Sequence, residues 1–313
     1  MRSSVRSAGV IGPGAIGGAI AGALVEADSS GVLVAARTGF DRLVVDHPNG
    51  RIDHQVPVLT DPGETTEPLD LVIVAVKAHQ TEGAGRWLGS LVGPDTTVVV
   101  AQNGVEHLAR VAPFVPDGTD VVPAVIWCPA KRPAPGRIEV TGRARLVVPE
   151  GPGGARLADR LAGSFFEIRQ TDDWQSRAWD KLLINAALGG LGVLTGRAGR
   201  DLCDDPDLAD LLERLMAEAA EVGRAEGAVI AEDRPAVLIA GMAAAGAHLS
   251  SIVVDRLAGV PTEWDARNAV VGRLAERHGI DVPLNRWITA LVRAGEPQHP
   301  PEREPESPVS GAA

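Results

Sequence analysis

Near its start the chain reads Ala8-Gly-Val-Ile-Gly-Pro-Gly-Ala-Ile-Gly-Gly-Ala-Ile-Ala-Gly-Ala-Leu-Val25, a short apolar run broken by glycines and resumed with helical periodicity. This predicts a strand, a tight turn and a helix, with Gly12, Gly14 and Gly17 in the G-x-G-x-x-G spacing of a dinucleotide-binding turn. Gly12 suits the tight turn, Gly14 lets backbone approach a pyrophosphate, and Gly17 lets the helix lie close to the strand. Pro13, Ala15 and Ile16 complete the segment that faces the phosphates. The helix start then offers unpaired N–H groups and the positive end of its dipole. Two other readings of the segment are a glycine-rich turn in some other α/β protein and a signal peptide. Against the second stand the three glycines and the acids Glu26 and Asp28.

The end of the next strand-like run, residues 32–36, decides which dinucleotide is expected. An acid there would bond a ribose 2′-hydroxyl. The chain has Arg37 instead. A guanidinium favours a 2′-phosphate, and one charge-assisted bond of about 1.5–3 kcal/mol gives roughly a tenfold to hundredfold preference for NADP. A solvated surface arginine is the plainer alternative.

At 313 residues the chain is long enough for two domains, and 45% hydrophobic residues supply two cores built from Ala, Val, Leu and Ile, since Tyr is absent and aromatics make up 3%. The net charge of −11 speaks against a broad nucleic-acid surface, so anionic ligands must be met by local sites. Cys128 and Cys203 are far apart, and the seven histidines are scattered without metal-ligand spacing. The expectation is reduced thiols, no metal, a cytoplasmic location and no membrane span, the longest apolar helical stretch being residues 236–247.

Strand-like runs at 69–76 and 96–101 are apolar throughout, as in a parallel sheet buried on both faces. The runs 121–127, 138–140 and 144–148 are expected to pair antiparallel and finish that sheet. From Trp174 the texture becomes helical, with Leu208, Leu211, Leu212, Leu215, Met216 and Ala219 on one face. The expected fold class is α/β: a Rossmann-type doubly wound sheet over residues 1–172, then a mostly α-helical domain over 173–295. Thr171-Asp-Asp caps the first helix, and a Pro/Glu-rich tail at 296–313 is expected to be disordered.

Lys77 and Gln80 directly follow one apolar strand, and Gln102-Asn103-Gly104 directly follow the next, at the carboxyl ends where open α/β sheets place ligands. Ordinary turn chemistry is the alternative for both. Lys181 and Asn185 lie four apart on a helical run that is otherwise apolar. Facing a cofactor, Lys181 can donate a proton to a ketone oxygen as hydride arrives; otherwise it is a snorkelling lysine. Ser251 suits a substrate carboxylate, and Glu263 suits a substrate hydroxyl or Lys181. Alternatively Thr262 and Glu263 simply cap a helix that ends near His278-Gly279.

In order, these segments resemble the ketopantoate reductase family. The likeness runs from about Gly9 to Ala294 and includes Gly12-Pro-Gly-Ala-Ile-Gly17, Arg37, Val76-Lys-Ala-His-Gln80, Gln102-Asn-Gly104, Trp179-Asp-Lys181, Asn185, Ser251, Glu263, Asn268 and His278-Gly-Ile-Asp-Val-Pro-Leu-Asn285. The resemblance implies NADPH-dependent reduction of 2-dehydropantoate to pantoate, with NADPH/NADP+ as cofactor. It implies Lys181 as general acid, Glu263 beside it in the catalytic set, and Asn185, Ser251, Glu263 and Asn103 around the substrate. Asn103 and Lys77 would line the cofactor side. The family helix usually carries a second asparagine two turns after the lysine, where this chain has Gly189-Gly-Leu-Gly192. That departure is expected to clear space, which keeps open a bulkier 2-oxo acid or another ketone. A non-catalytic NADP-binding sensor is a further alternative. The only partner expected is a small-molecule 2-oxo acid, with monomer and homodimer both open.

Overall fold

The computed structural model describes residues 7–297 except 29, 65, 66 and 245–248, so most of the 296–313 tail and the end of the 236–247 stretch lie outside the described residues. Two compact units are present. The first comprises residues up to Leu182 together with Gly227–Val229; the second comprises Leu183–Glu226 and residues from Ile230 on.

The strands of the first unit are β1 Ala8–Ile11, β2 Val32–Ala35, β3 Leu43–His47, β4 Gly50–His54, β5 Val58–Leu59, β6 Leu71–Val74, β7 Thr97–Val100, β8 Asp120–Pro123, β9 Val125–Trp127, β10 Ala130–Ala134, β11 Arg137–Val140, β12 Ala144–Pro149 and β13 Phe166–Thr171. The main sheet has six strands in the order β5-β2-β1-β6-β7-β8, all parallel. Alternate residues of β6 serve the two faces: Leu71 and Ile73 join one apolar cluster, Val72 and Val74 the other. Burial on both faces explains the unbroken apolar runs. The sequence direction reverses between β1 and β6, the switch point at which such sheets open a crevice beyond their carboxyl ends.

The helix α1, Ala15–Ala27, covers one face. Gly12 sits at φ +86°, where a Cβ would strike Val76 at 2.6 Å. A Cβ on Gly17 would lie 2.2 Å from the Gly12 carbonyl oxygen and 3.0 Å from the Ala75 Cβ. The helix therefore rests directly on the turn that precedes it. Along α1, Gly18 and Gly22 admit Ile138 and Val45, which belong to a second sheet of order β10-β11-β3-β4.

The antiparallel ending expected for the main sheet is corrected here. The run 121–127 divides into β8, which pairs parallel with β7, and β9, which pairs antiparallel with β12 in a third sheet of order β13-β12-β9. Pro123 has no N–H to donate and closes β8, after which the chain leaves the sheet. The run 138–140 is β11, which joins not the main sheet but the second one, pairing antiparallel with β10 and parallel with β3.

The remaining helices are α2 Thr81–Leu91, α3 His107–Val111, α4 Pro152–Arg160, α5 Trp174–Thr195, α6 Gly199–Cys203, α7 Pro206–Ala225, α8 Arg234–Ala244, α9 Ser251–Leu257, α10 Val270–His278 and α11 Pro283–Ala294. Helix α5 is capped as expected: an Asp173 carboxylate oxygen accepts from the Ser176 amide at 3.3 Å, and Thr171 Oγ1 accepts from the Asp173 amide. The units part inside α5 rather than at this start, because Ala178 is buried with Val125 and Val147 of the first unit. The second unit is helical, and α7 buries Leu212, Leu215, Met216 and Ala219 along one stripe. Among the described residues, no helix is long and apolar enough to cross a membrane.

Two glycines separate close packing from simple conformational freedom. Replacing Gly17 by Ala forces a Cβ into backbone and should cost about 1–3 kcal/mol. Gly83, exposed within α2 with open space around it, should gain about 0.5–1 kcal/mol on replacement by Ala. Urea titration of both variants checks the pair; equal midpoints would refute the packing account.

Candidate functional site

The turn Gly12–Gly17, with Pro13, Ala15 and Ile16, lies beyond the carboxyl end of β1 and opens α1. A Cβ at Gly14 would meet no atom within 4 Å, so the face over this residue is open. Helix α1 has Gly14 at its cap, no side-chain cap bond and no acid in its first turn. Nothing among these groups competes with an anion for the first N–H groups. Arg37, exposed just past β2, is the cation of the adjacent strand end, where an NAD site would carry an acid. These residues suit a dinucleotide.

Lys77 and Asn103 stand beyond β6 and β7, and the structure brings their segments together through one buried side chain. Gln102 Nε2 donates to the Val76 carbonyl at 3.0 Å and to Thr81 Oγ1 at 2.8 Å, and the Thr81 hydroxyl donates to the Ala78 carbonyl. The loop after β7 is held from α3 as well. His107 Nε2 bonds the Gln102 carbonyl at 2.9 Å, and Arg110 donates to the Asn103 carbonyl at 2.7 Å. His107 is fully buried against Trp174, and burial, with the Arg110 and Lys181 charges, lowers its pKa to about 4. It is thus neutral at physiological pH, with Nε2–H donating to the carbonyl. Sequence reasoning missed His107 because a lone histidine carries no pattern.

Lys181 lies on the part of α5 that belongs to the first unit. Its half-buried stem ends in an ammonium that donates to the Ile126 carbonyl and stands 5.7 Å from the centre of the Trp127 ring. The same charge acts on Cys128, yet burial pushes that thiol up to about 12. Cys128 is therefore an inert thiol. Trp127 also stacks under the Arg145 guanidinium at 4.8 Å.

Asn185, Ser251 and Glu263 belong to the second unit. Asn185 is one turn beyond Lys181 on the continuous α5, and its Nδ2 is buried without a hydrogen-bond partner. Ser251 Oγ accepts from Arg267 Nη2 at 2.7 Å, and Glu263 lies 3.6 Å from the same nitrogen. Arg267 was not anticipated, although its position four residues after Glu263 was a readable signal. Thr262 does not cap the helix: its amide and hydroxyl both donate to the Glu296 carboxylate, and the helix begins at Trp264.

The space expected beside Gly189 is already filled. A Cβ there would lie 3.2 Å from Ile252, one on Gly190 would lie 2.3 Å from Ile288, and one on Gly192 would lie 2.8 Å from Val253. These glycines let α9 and α11 approach α5, and they create no room for a larger substrate.

Comparison with known proteins shows what this chain is similar to. The family model described as ketopantoate reductase PanE/ApbA matches residues 8–153, and its C-terminal counterpart matches residues 173–296. The 2-dehydropantoate 2-reductase of Caulobacter vibrioides is 40% identical over 291 residues, covering 92% of this chain and 98% of that one. The enzyme of the same name from Mycobacterium tuberculosis is 37% identical over 295 residues, covering 91% and 96%. In fold, the chain superposes on the 2-dehydropantoate 2-reductase of Geobacter metallireducens with a TM-score of 0.85 at 23% identity, covering 92% of this chain and 99% of that one.

The buried neutral His107 makes a pH prediction. Its pKa is depressed on folding, so as pH falls from about 6.5 to about 4 the unfolded chain takes up a proton that the folded one refuses. Stability should drop by about 3 kcal/mol across that window through this group alone. Urea unfolding at a series of pH values should show a shallower acid slope in His107→Gln; parallel slopes would mean that His107 titrates freely.

Proposed function

The chain belongs to the ketopantoate reductase PanE/ApbA family, and on that footing we propose that it reduces 2-dehydropantoate to pantoate with NADPH. The observation that carries the reading is the setting of Lys181, a half-buried ammonium held by the Ile126 carbonyl in the unit that also carries the glycine turn. Kinship with 2-dehydropantoate 2-reductases at 37–40% identity over nearly the whole chain supports the substrate.

Residues 12–17 would hold the pyrophosphate at the start of α1, Arg37 the 2′-phosphate, and Lys77 and Asn103 the nicotinamide side. Bound NADPH supplies the hydride. The chain's own part is to present and protonate the ketone. Lys181 donates its proton to the carbonyl oxygen as charge develops there, and Asn185, Ser251 and Glu263 orient the substrate. The Ile126 carbonyl fixes the ammonium before reaction, which removes a reorganisation step from proton transfer. The Gln102 and His107 bonds do the same for the backbone that carries Asn103.

NADPH oxidation followed at 340 nm with 2-dehydropantoate tests the activity. Lys181→Ala should lower kcat by about 10²–10⁴-fold, the usual yield of one acid catalyst, with NADPH affinity retained. Equal turnover by the variant and the parent would remove Lys181 from the mechanism. Arg37→Ala should narrow the preference for NADPH over NADH by roughly tenfold or more; an unchanged ratio of the two kcat/KM values would leave Arg37 a bystander.

A further inference from the structure

Arginine is seldom buried unless its donors are used, and Arg267 is 3% exposed. Its position follows from the backbone. Residues Asp265–Ala269 form a single π-turn at the start of the helix that continues as α10, and this wider turn buries the consecutive residues Ala266, Arg267 and Asn268. An ordinary α-helical stripe would direct one of three such neighbours outward.

The guanidinium has five N–H donors in a planar fork. One, on Nη2, is used by Ser251 Oγ at 2.7 Å. The Glu263 carboxylate lies 3.6 Å from the same Nη2, outside hydrogen-bond distance of that nitrogen, and supplies a compensating charge. Nε is buried with no hydrogen-bond partner. Ser251, the residue that Arg267 bonds, is exposed at the start of α9, so the buried fork is joined by a hydrogen bond to an exposed residue. Further buried atoms of this unit lack partners: Asn185 Nδ2, Ser250 Oγ and Asn268 Oδ1. Asn268 is tied to α5 through its Nδ2, which donates to the Ala186 carbonyl at 2.8 Å, next to Asn185.

We propose that Arg267 is a substrate-binding and specificity-determining residue that takes the carboxylate of the 2-oxo acid, with Ser251 at its outer edge. This deepens the reading given above and rests on it. A carboxylate matches the fork in plane and spacing, and it supplies acceptors to Nε and an Nη at once. A neutral ketone would leave these donors unpaired. Arg267 thus selects 2-oxo acids over ketones without an acid group, through a residue that neither Lys181 nor the cofactor turn duplicates.

The test is steady-state kinetics of the full chain with 2-dehydropantoate and NADPH for the parent, Arg267→Met and Arg267→Lys. Arg267→Met should raise KM for the acid by about tenfold to hundredfold, the range for a lost charged hydrogen bond, while kcat falls much less. Arg267→Lys keeps the charge but loses the fork, and should recover part of that KM. A KM that stays within twofold of the parent in either variant overturns the proposal. So does a loss confined to kcat with KM unchanged, which would mark a purely structural arginine. Should Arg267→Met fail to fold, as judged by circular dichroism and NADPH binding, the Lys variant alone decides. If the parent reduces a different 2-oxo acid, the same comparison is made with that acid, and only the substrate assignment fails. A parent inactive toward every 2-oxo acid overturns both readings.

Discussion

The first unit depends on how closely α1 can lie against the turn that launches it. With only 2.2 Å between the position of a Gly17 Cβ and the Gly12 oxygen, any side chain at 17 would lift the helix off the sheet. That contact fixes where the first N–H groups of α1 point, and hence where an anion can be held. It also fixes the far side of the helix, because Gly18 and Gly22 receive Ile138 and Val45 of the second sheet. A phosphate-binding geometry and a packing geometry are therefore one constraint met by a handful of glycines. The constraint explains why the opening segment of the chain is so informative.

Much of the fold could be read because burial writes itself into sequence. Strands β1, β2, β6 and β7 are buried on both faces and read as apolar runs, and α7 reads as a leucine stripe. The β3–β4 hairpin was not legible, since its ten residues alternate with Asp, His and Arg and only one face is covered. Pairing was less legible still. Whether 138–140 joins the main sheet or a separate one depends on contacts with β3, nearly a hundred residues earlier, and no local pattern encodes that. At the site, positions beyond strand ends were legible from the glycines and polar triplets. His107 was not, because it acts through burial and a backbone partner, and Arg267 left only its spacing of four from Glu263.

Helix α5 links the two classes of information. Its start is a local signal, the Asp173 cap, and its course is a tertiary one. The ammonium of Lys181 is bonded in the first unit, and Asn185, one turn later, belongs to the second. Both lie on one helix, one turn apart and about 6 Å along its axis. Glycines at 189, 190 and 192 then let Ile252, Ile288 and Val253 close on the same helix. The low helical propensity of those glycines is offset by apolar contact rather than spent on flexibility.

A chain of net charge −11 that is read as handling a dinucleotide and a 2-oxo acid has to hold anions against its own average field. Distance resolves the conflict. Surface charges more than about 8 Å away are largely screened at physiological ionic strength. A fixed unit charge at about 4 Å is worth about 4 kcal/mol at the effective dielectric of a protein surface. Local placement therefore outweighs the total. Helix α1 begins without an acid in its first turn, Lys181 is seated on a carbonyl rather than surrendered to the surface, and Arg267 bonds Ser251 with Glu263 nearby while its Nε has no hydrogen-bond partner. At the start of α1 and at Arg267 Nε, donors are left without a side-chain partner. Spare capacity of that kind distinguishes a binding group from the many exposed ion pairs of the same surface, such as Arg273 with Asp265 at 2.7 Å, whose charges are already matched.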